Sequence, residues 1–174
     1  MTRPLIWTIG HSTRSFDEFL ALLRSFAIGQ VVDVRHFPGS RKFPQFNKDS
    51  LIETLPGAGI AYSHIEALGG RRKPAPGSPN TAWRHPAFRG YADYMTTPEF
   101  QEGFQQLKAI GHAMPTAYMC SEAVWWRCHR SMISDALKAA GWNVQHIMDE
   151  GKAKEHPYTA PARVVEGRLT YAEK

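Results

Sequence analysis

The chain has 174 residues, 43% of them hydrophobic and 21% charged, the size and balance of one globular domain that buries its own core. That composition excludes a coiled coil, a collagen-like fibre and a wholly disordered chain, and two cysteines are too few for a disulfide framework, so their chemistry is sought as thiols. The formal charge of +5 favours anionic partners (phosphate, nucleotide or nucleic acid), although the basic residues are scattered rather than gathered into a run.

Leu5-Ile6-Trp7-Thr8-Ile9, ended by Gly10, reads as a buried first strand. A helix is expected next: Ser15 with Glu18 forms a capping box, Phe16, Phe19, Leu20, Leu23 and Phe26 recur at helical spacing, and Gly29 supplies the stop. The β-branched run Val31 to Arg35 predicts a second strand, parallel to the first and paired with it through a crossover. Residues 36–47 lack periodicity and predict a long loop, followed by a short helix capped near Asn47 and a third strand from Ile60 to His64. A second long loop, rich in Pro, Gly and Arg, is expected from Gly69 to Pro86. Helical spacing returns at Tyr91 to Met95 and at Pro98 to Ile110, where Thr97 is the cap and Pro98 the first helical residue. Thr116 to Met119 predicts a fourth strand, Trp126 to Ala140 a helix stopped by Gly141, and Val144 to Ile147 a fifth strand. Residues 149–174 form a polar C-terminal extension with a hairpin of Arg163 to Val165 and Leu169 to Tyr171 about Gly167.

This alternation predicts a single α/β domain over residues 1–174, with a mostly parallel sheet and helices on both faces. Analogy with doubly wound folds suggests a strand order of 3-2-1-4-5. No stretch is apolar enough to span a membrane, and Met1-Thr2-Arg3-Pro4-Leu5-Ile6 lacks the apolar region of a signal peptide, so a cytoplasmic protein without a membrane partner is expected.

Open parallel sheets bind ligands beyond the carboxyl ends of their strands. The residues predicted there are polar: His11 and Ser12 after the first strand, Asp33 and Arg35 at the end of the second, and Cys120, Ser121 and Glu122 after the fourth. His129 and Arg130 extend the apolar face of the next helix toward its N-terminus and should point into the same region. An unpaired buried guanidinium is costly, so Arg130 needs a carboxylate, Asp33 or Glu122, or a bound phosphate. Glu122 can act as a general acid/base or as a carboxylate nucleophile. Cys128, placed in the first helical turn beside His129 and between Arg127 and Arg130, has the setting of a reactive thiolate, with burial as a small hydrophobe the alternative for both cysteines. Cys120, Cys128, His129 and His11 are weak metal candidates, because their spacing matches no compact zinc motif. Gly10-His11-Ser12 is too short for a dinucleotide fingerprint, which argues against a dehydrogenase, and no glycines form a phosphatase loop between Cys120 and Arg127. Ser40, Arg41, Lys42, Phe43 and Phe46, with Arg71, Arg72, Lys73, Trp83 and Arg84, mix cations with aromatics, a set suited either to an anionic, base-bearing ligand or to anchoring the two loops.

At these residues the sequence resembles the bacterial and archaeal family of domains of unknown function numbered 488. The resemblance rests on Thr8-Ile9-Gly10-His11-Ser12, Asp33-Val34-Arg35 with Pro38 and Ser40-Arg41, Leu68-Gly69-Gly70, and Met119-Cys120-Ser121-Glu122 with Cys128-His129-Arg130. It implies a three-layer, Rossmann-like α/β protein suspected of being an enzyme, and supplies no reaction. The expectation is a hydrolase or transferase acting on a phosphate-bearing substrate, a nucleotide or nucleic acid. Glu122, Cys128, His129 and Asp33 are its catalytic candidates, and His11, Ser12, Arg35, Ser40, Arg41, Cys120 and Arg130 its substrate-binding ones, Arg35 and Arg130 holding the anion. A non-catalytic nucleotide or nucleic-acid binding module, and a Cys/His thiol-redox or metal site, are the alternatives; no cofactor is required by the sequence.

Overall fold

The computed structural model describes residues 2–173. Eight strands, β1 (Leu5–Gly10), β2 (Gln30–Asp33), β3 (Ala61–His64), β4 (Thr116–Cys120), β5 (Asn143–Asp149), β6 (Lys152–Glu155), β7 (Arg163–Val165) and β8 (Arg168–Thr170), alternate with five helices. The helices are α1 (Phe16–Ser25), α2 (Lys48–Gly57), α3 (Pro86–Tyr94), α4 (Pro98–Ala113) and α5 (Arg130–Ala139). The first six strands form one sheet in the order β3-β2-β4-β1-β5-β6, and β7 and β8 form a separate hairpin. The first five strands pair in parallel, and β6 returns antiparallel to β5.

Two apolar clusters make this a three-layer α/β fold. Ile9, Val31, Ala117, Met119 and Ile147 pack with Phe19 and Leu23 of α1 and Leu51 and Leu55 of α2 on one face. Ile6, Val32, Val34, Tyr118 and Val144 pack with Tyr91 of α3, Phe100, Phe104 and Leu107 of α4 and Ile133 and Leu137 of α5 on the other. Successive strand residues point to opposite faces, so neighbours such as Val31 and Val32 fall in different clusters.

The order differs from the expected 3-2-1-4-5: β4 lies between β1 and β2, which are parallel but not neighbours. Every residue of β4 is buried, as the central strand of a two-faced sheet requires. The stop of α1 also differs. Ala27 takes a left-handed conformation at φ 54°, and the amides of Ala27 and Ile28 close back on the carbonyls of Arg24 and Leu23, so the cap is complete before Gly29 is reached. The expected α1 capping box, the Thr97 cap with Pro98 behind it, the Gly141 stop and the terminal hairpin are all present. β6 had no sequence signal, being the fully exposed Lys-Ala-Lys-Glu.

Beyond β6 the chain is held by a buried polar network. Asp135 of α5 accepts from Tyr171 Oη (2.8 Å) and Thr159 N (2.9 Å) and bonds His156 Nε2 (2.8 Å), whose other ring nitrogen meets His146 Nε2 of β5 at 2.8 Å. His146 Nδ1 then bonds Thr8 Oγ1 of β1 at 2.5 Å.

Candidate functional site

Because β4 separates β1 from β2, the carboxyl ends of three adjacent strands converge. Gly10 stands opposite Cys120, and Asp33 opposite Met119. The ladder continues past the strands, with His11 N donating to Cys120 O and Ser12 N to Ser121 O, each at 3.0 Å, so the loops after β1 and β4 leave the sheet as a joined pair. Above them lies a cavity of about 460 Å³, lined by His11, Ser12, Arg35, Ser40, Arg71 and Glu122 together with Thr13, Phe37, Gly39, Phe43, Ser121 and Ala123.

Arg35 is fixed before any ligand arrives. Its backbone N and Nε donate to Asp33 Oδ1 (3.1 and 2.9 Å), and Nη2 donates to Asp33 Oδ2 (2.7 Å) and Phe46 O (2.6 Å). Tyr62 Oη donates to Asp33 Oδ2 at 2.6 Å. Asp33, fully buried, is occupied by these bonds, does not line the cavity and holds Arg35 in place. Arg35 Nη1 is left with one long contact, 3.4 Å to His11 Nε2, on the cavity side.

His11 donates from Nδ1 to Ser12 O (2.8 Å), which leaves Nε2 as the lone pair facing Arg35. Its ring stacks on Phe46, centroids 4.4 Å apart. Burial, reinforced by the Arg35 charge, pulls its pKa down to about 4, so it is neutral in the folded protein near neutral pH. Ser12 is left-handed at φ 52°. Ser40 accepts through Oγ from the amides of Lys42 and Phe43, which closes the turn of its loop, and its own amide donates to Asn47 Oδ1 (2.6 Å). Arg41 is exposed and outside the cavity lining.

Glu122 is exposed and lines the same cavity as Arg35 and Arg71. Its backbone fits only because position 10 is glycine: a Cβ there would lie 1.6 Å from Glu122 O. The remaining candidates sit behind this loop rather than in the cavity. His129 bonds Val34 O through Nε2 (2.6 Å), packs against Tyr91, and approaches Gly70 so closely that a Cβ there would lie 3.0 Å from Nδ1. Burial lowers its pKa to about 4, with the Arg130 charge in the same direction, so it is neutral near neutral pH where it bridges the Val34 carbonyl and the start of α5.

Arg130 is only 1% exposed and meets neither Asp33 nor Glu122 as an ion pair. Its Nη2 donates instead to the carbonyls of Glu122 (3.1 Å) and Ala123 (3.5 Å), and its Nε has no partner. It shapes the loop from below and does not line the cavity. Cys120 and Cys128 are both free and lie Sγ to Sγ at 2.8 Å. Cys128 is not in a helical turn: its backbone is extended, α5 begins at Arg130, and Cys128 Sγ accepts the Arg130 amide (3.3 Å). The expected acidity is reversed between the two thiols. Burial opposes ionisation of Cys120, but the Cys128 hydrogen bond and the Arg130 charge outweigh it and bring its pKa to about 7, whereas burial and the Cys120 bond push Cys128 up. The four weak metal candidates are not drawn into one cluster, and among the described residues no group of three or more His, Cys, Asp or Glu is placed to hold a metal.

Three contributors carried little sequence signal. Tyr62 alternates like any strand residue, and Arg71 is one of many cations, brought to the cavity by its left-handed backbone at φ 63°. Phe37 is 76% exposed at the cavity edge, an apolar ring left in solvent. By contrast Arg72 stacks over Tyr94 (3.7 Å) and Trp83 packs on Phe88 and Tyr171, so that part of the second loop is anchored to the body.

No curated protein and no solved structure matches the chain. A family model, Domain of unknown function DUF488, matches residues 15–137, which include Asp33, Arg35, Glu122 and the Cys128-His129-Arg130 triplet of the site. The chain therefore belongs to the DUF488 family.

Proposed function

We propose that the protein is an enzyme acting on a phosphate-bearing small molecule of the nucleotide class, bound in the cavity over β1, β2 and β4. One observation carries this reading: two guanidiniums, Arg35 and Arg71, line one cavity with a single carboxylate, Glu122, and an exposed aromatic ring, Phe37, at its edge. The preset Arg35 Nη1 suits a phosphate oxygen, because a guanidinium already oriented by Asp33 loses little freedom on binding. Phe37 offers a face on which a base can stack. Glu122 is then the acid/base or the nucleophile, and neutral His11, its Nε2 lone pair turned to Arg35 Nη1, helps hold that guanidinium without adding a charge of its own.

The test is turnover. The purified chain is incubated with a panel of nucleotides and short oligonucleotides, products are followed by chromatography, and binding is measured by calorimetry. Glu122→Gln is expected to keep its affinity and lose about 10²- to 10⁴-fold in turnover, the usual contribution of a positioned general acid or base. Full turnover by Glu122→Gln would overturn the assignment of Glu122. Binding without turnover, weakening steeply with salt and indifferent to Glu122, would replace the enzyme with a binding module.

A further inference from the structure

The cavity does not account for Cys120, Cys128 and Arg130. Burying a guanidinium demands a negative partner, and Arg130 has none among the carboxylates: it bonds two carbonyls and leaves Nε unsatisfied. What it has instead is sulfur. Its own amide donates to Cys128 Sγ at 3.3 Å, the two sulfurs are 2.8 Å apart, and negative charge on this sulfur pair favours the charged guanidinium. A pair of thiols beside a buried cation, at the start of a ten-residue helix, is stabilised once it has lost one proton and shares the other between its two sulfurs.

We infer that Cys120 and Cys128 are a redox site, a vicinal dithiol that closes reversibly into an intrachain disulfide at the base of the Glu122 loop when met by a peroxide. The geometry suits this chemistry on three counts. The two sulfurs come from β4 and from the residue two before α5, so contact is imposed by the fold rather than by adjacent sequence. The cation needed to hold the attacking sulfur as thiolate is built in. The resolving sulfur is already in contact, so a sulfenic acid formed on one cysteine faces the other thiol at once.

The Cys120 thiolate attacks one peroxide oxygen; the S–O bond forms, the O–O bond breaks, and the departing hydroxide takes a proton to become water. Cys128 sulfur then attacks the sulfenic sulfur; the S–S bond forms, the S–O bond breaks, and hydroxide leaves as water with the Cys128 proton. Two thiols and one peroxide thus yield one disulfide and two waters, and an external dithiol reverses the result. Ser121 to Arg127, with Glu122 among them, would then be closed into a covalent loop.

The experiment uses the full chain, reduced and freed of reductant, then treated with stoichiometric hydrogen peroxide and followed by intact mass and peptide mapping. The wild type is expected to lose the mass of two hydrogens, to yield a Cys120–Cys128 linked peptide, to form no disulfide between chains, and to recover its original mass with dithiothreitol. Cys128→Ser should instead hold a sulfenic acid on Cys120 that dimedone traps, whereas Cys120→Ser should react much more slowly. The proposal is overturned if both wild-type thiols stay reduced, if the folded protein forms the link no faster than the urea-unfolded chain, or if oxidation runs to sulfinic acid without a link.

Discussion

A Cβ at position 10 would meet the Glu122 carbonyl oxygen at 1.6 Å and its carbon at 2.5 Å, both of them backbone atoms that cannot swing aside as a side chain end can. Gly10→Ala is therefore expected to force the loop after β4 away from β1, at about 1–3 kcal/mol of overpacking strain. A lowered thermal midpoint, with the turnover proposed for Glu122 reduced alongside it, is the expected result. Gly39→Ala is the comparison, because its Cβ would find only the Phe37 ring, at 3.4 Å, and that ring can move. Equal midpoints for the two variants would mean that the approach of β1 to the Glu122 backbone is not a constraint. At this scale Asp33 matters in the same indirect way as Gly10: each decides where a functional group sits, Arg35 in one case and Glu122 in the other.

Among the elements, the loop between β2 and α2 contributes most to the lining of the cavity. It supplies Phe37, Gly39, Ser40 and Phe43 to the cavity, and its single turn of 3₁₀ helix, Pro44–Phe46, sets the carbonyl of Phe46 against Arg35 and its ring against His11. If Phe37 stacks a base, Phe37→Ala should weaken nucleotide binding by about 1–3 kcal/mol. It should leave inorganic phosphate binding unchanged, because the guanidiniums are untouched. Isothermal calorimetry with both ligands separates the two, and equal loss for both would remove the stacking role. Element boundaries were legible at several places where a local rule acts, as at Ser15 with Glu18, Thr97 with Pro98, and the Gly167 turn. The residues that the strand-end rule collects, His11, Ser12, Arg35 and Glu122, all line one cavity. What escaped was set by contacts distant in sequence. Periodicity puts Arg130 inside but cannot say that it will meet carbonyls and sulfur, and it cannot show that Cys128 precedes the helix or that Tyr62 orients Asp33 from a neighbouring strand.

For the whole molecule, buried histidines set the response to acid. His11 and His129 are lowered to about 4 and His146 to about 2, burial being the first cause in each case, against an ordinary value of 6.5. Unfolding returns all three to the ordinary value, so below about pH 6.5 the unfolded chain binds protons that the folded chain refuses. Stability should then fall as pH falls, with a slope approaching about 1.4 kcal/mol per pH unit for each histidine. Above about pH 7 these groups contribute no slope. Urea midpoints measured from about pH 8 to about pH 5 check this, and a midpoint that rises toward acid would mean that a charged histidine is held in the fold.

The position of β4 also governs when the sheet can be assembled. β1 pairs only with β4 and β5, so this apolar strand waits for more than a hundred further residues before it finds a neighbour, while β2 and β3 can already pair with each other. During synthesis, β1 and α1 therefore emerge as an amphipathic fragment without a sheet to cover, and the step that organises the molecule is the late insertion of a wholly buried strand between two earlier ones. Long-range closure of this kind slows folding, and it leaves the apolar face of β1 and α1 without its sheet neighbour until β4 is available to pair.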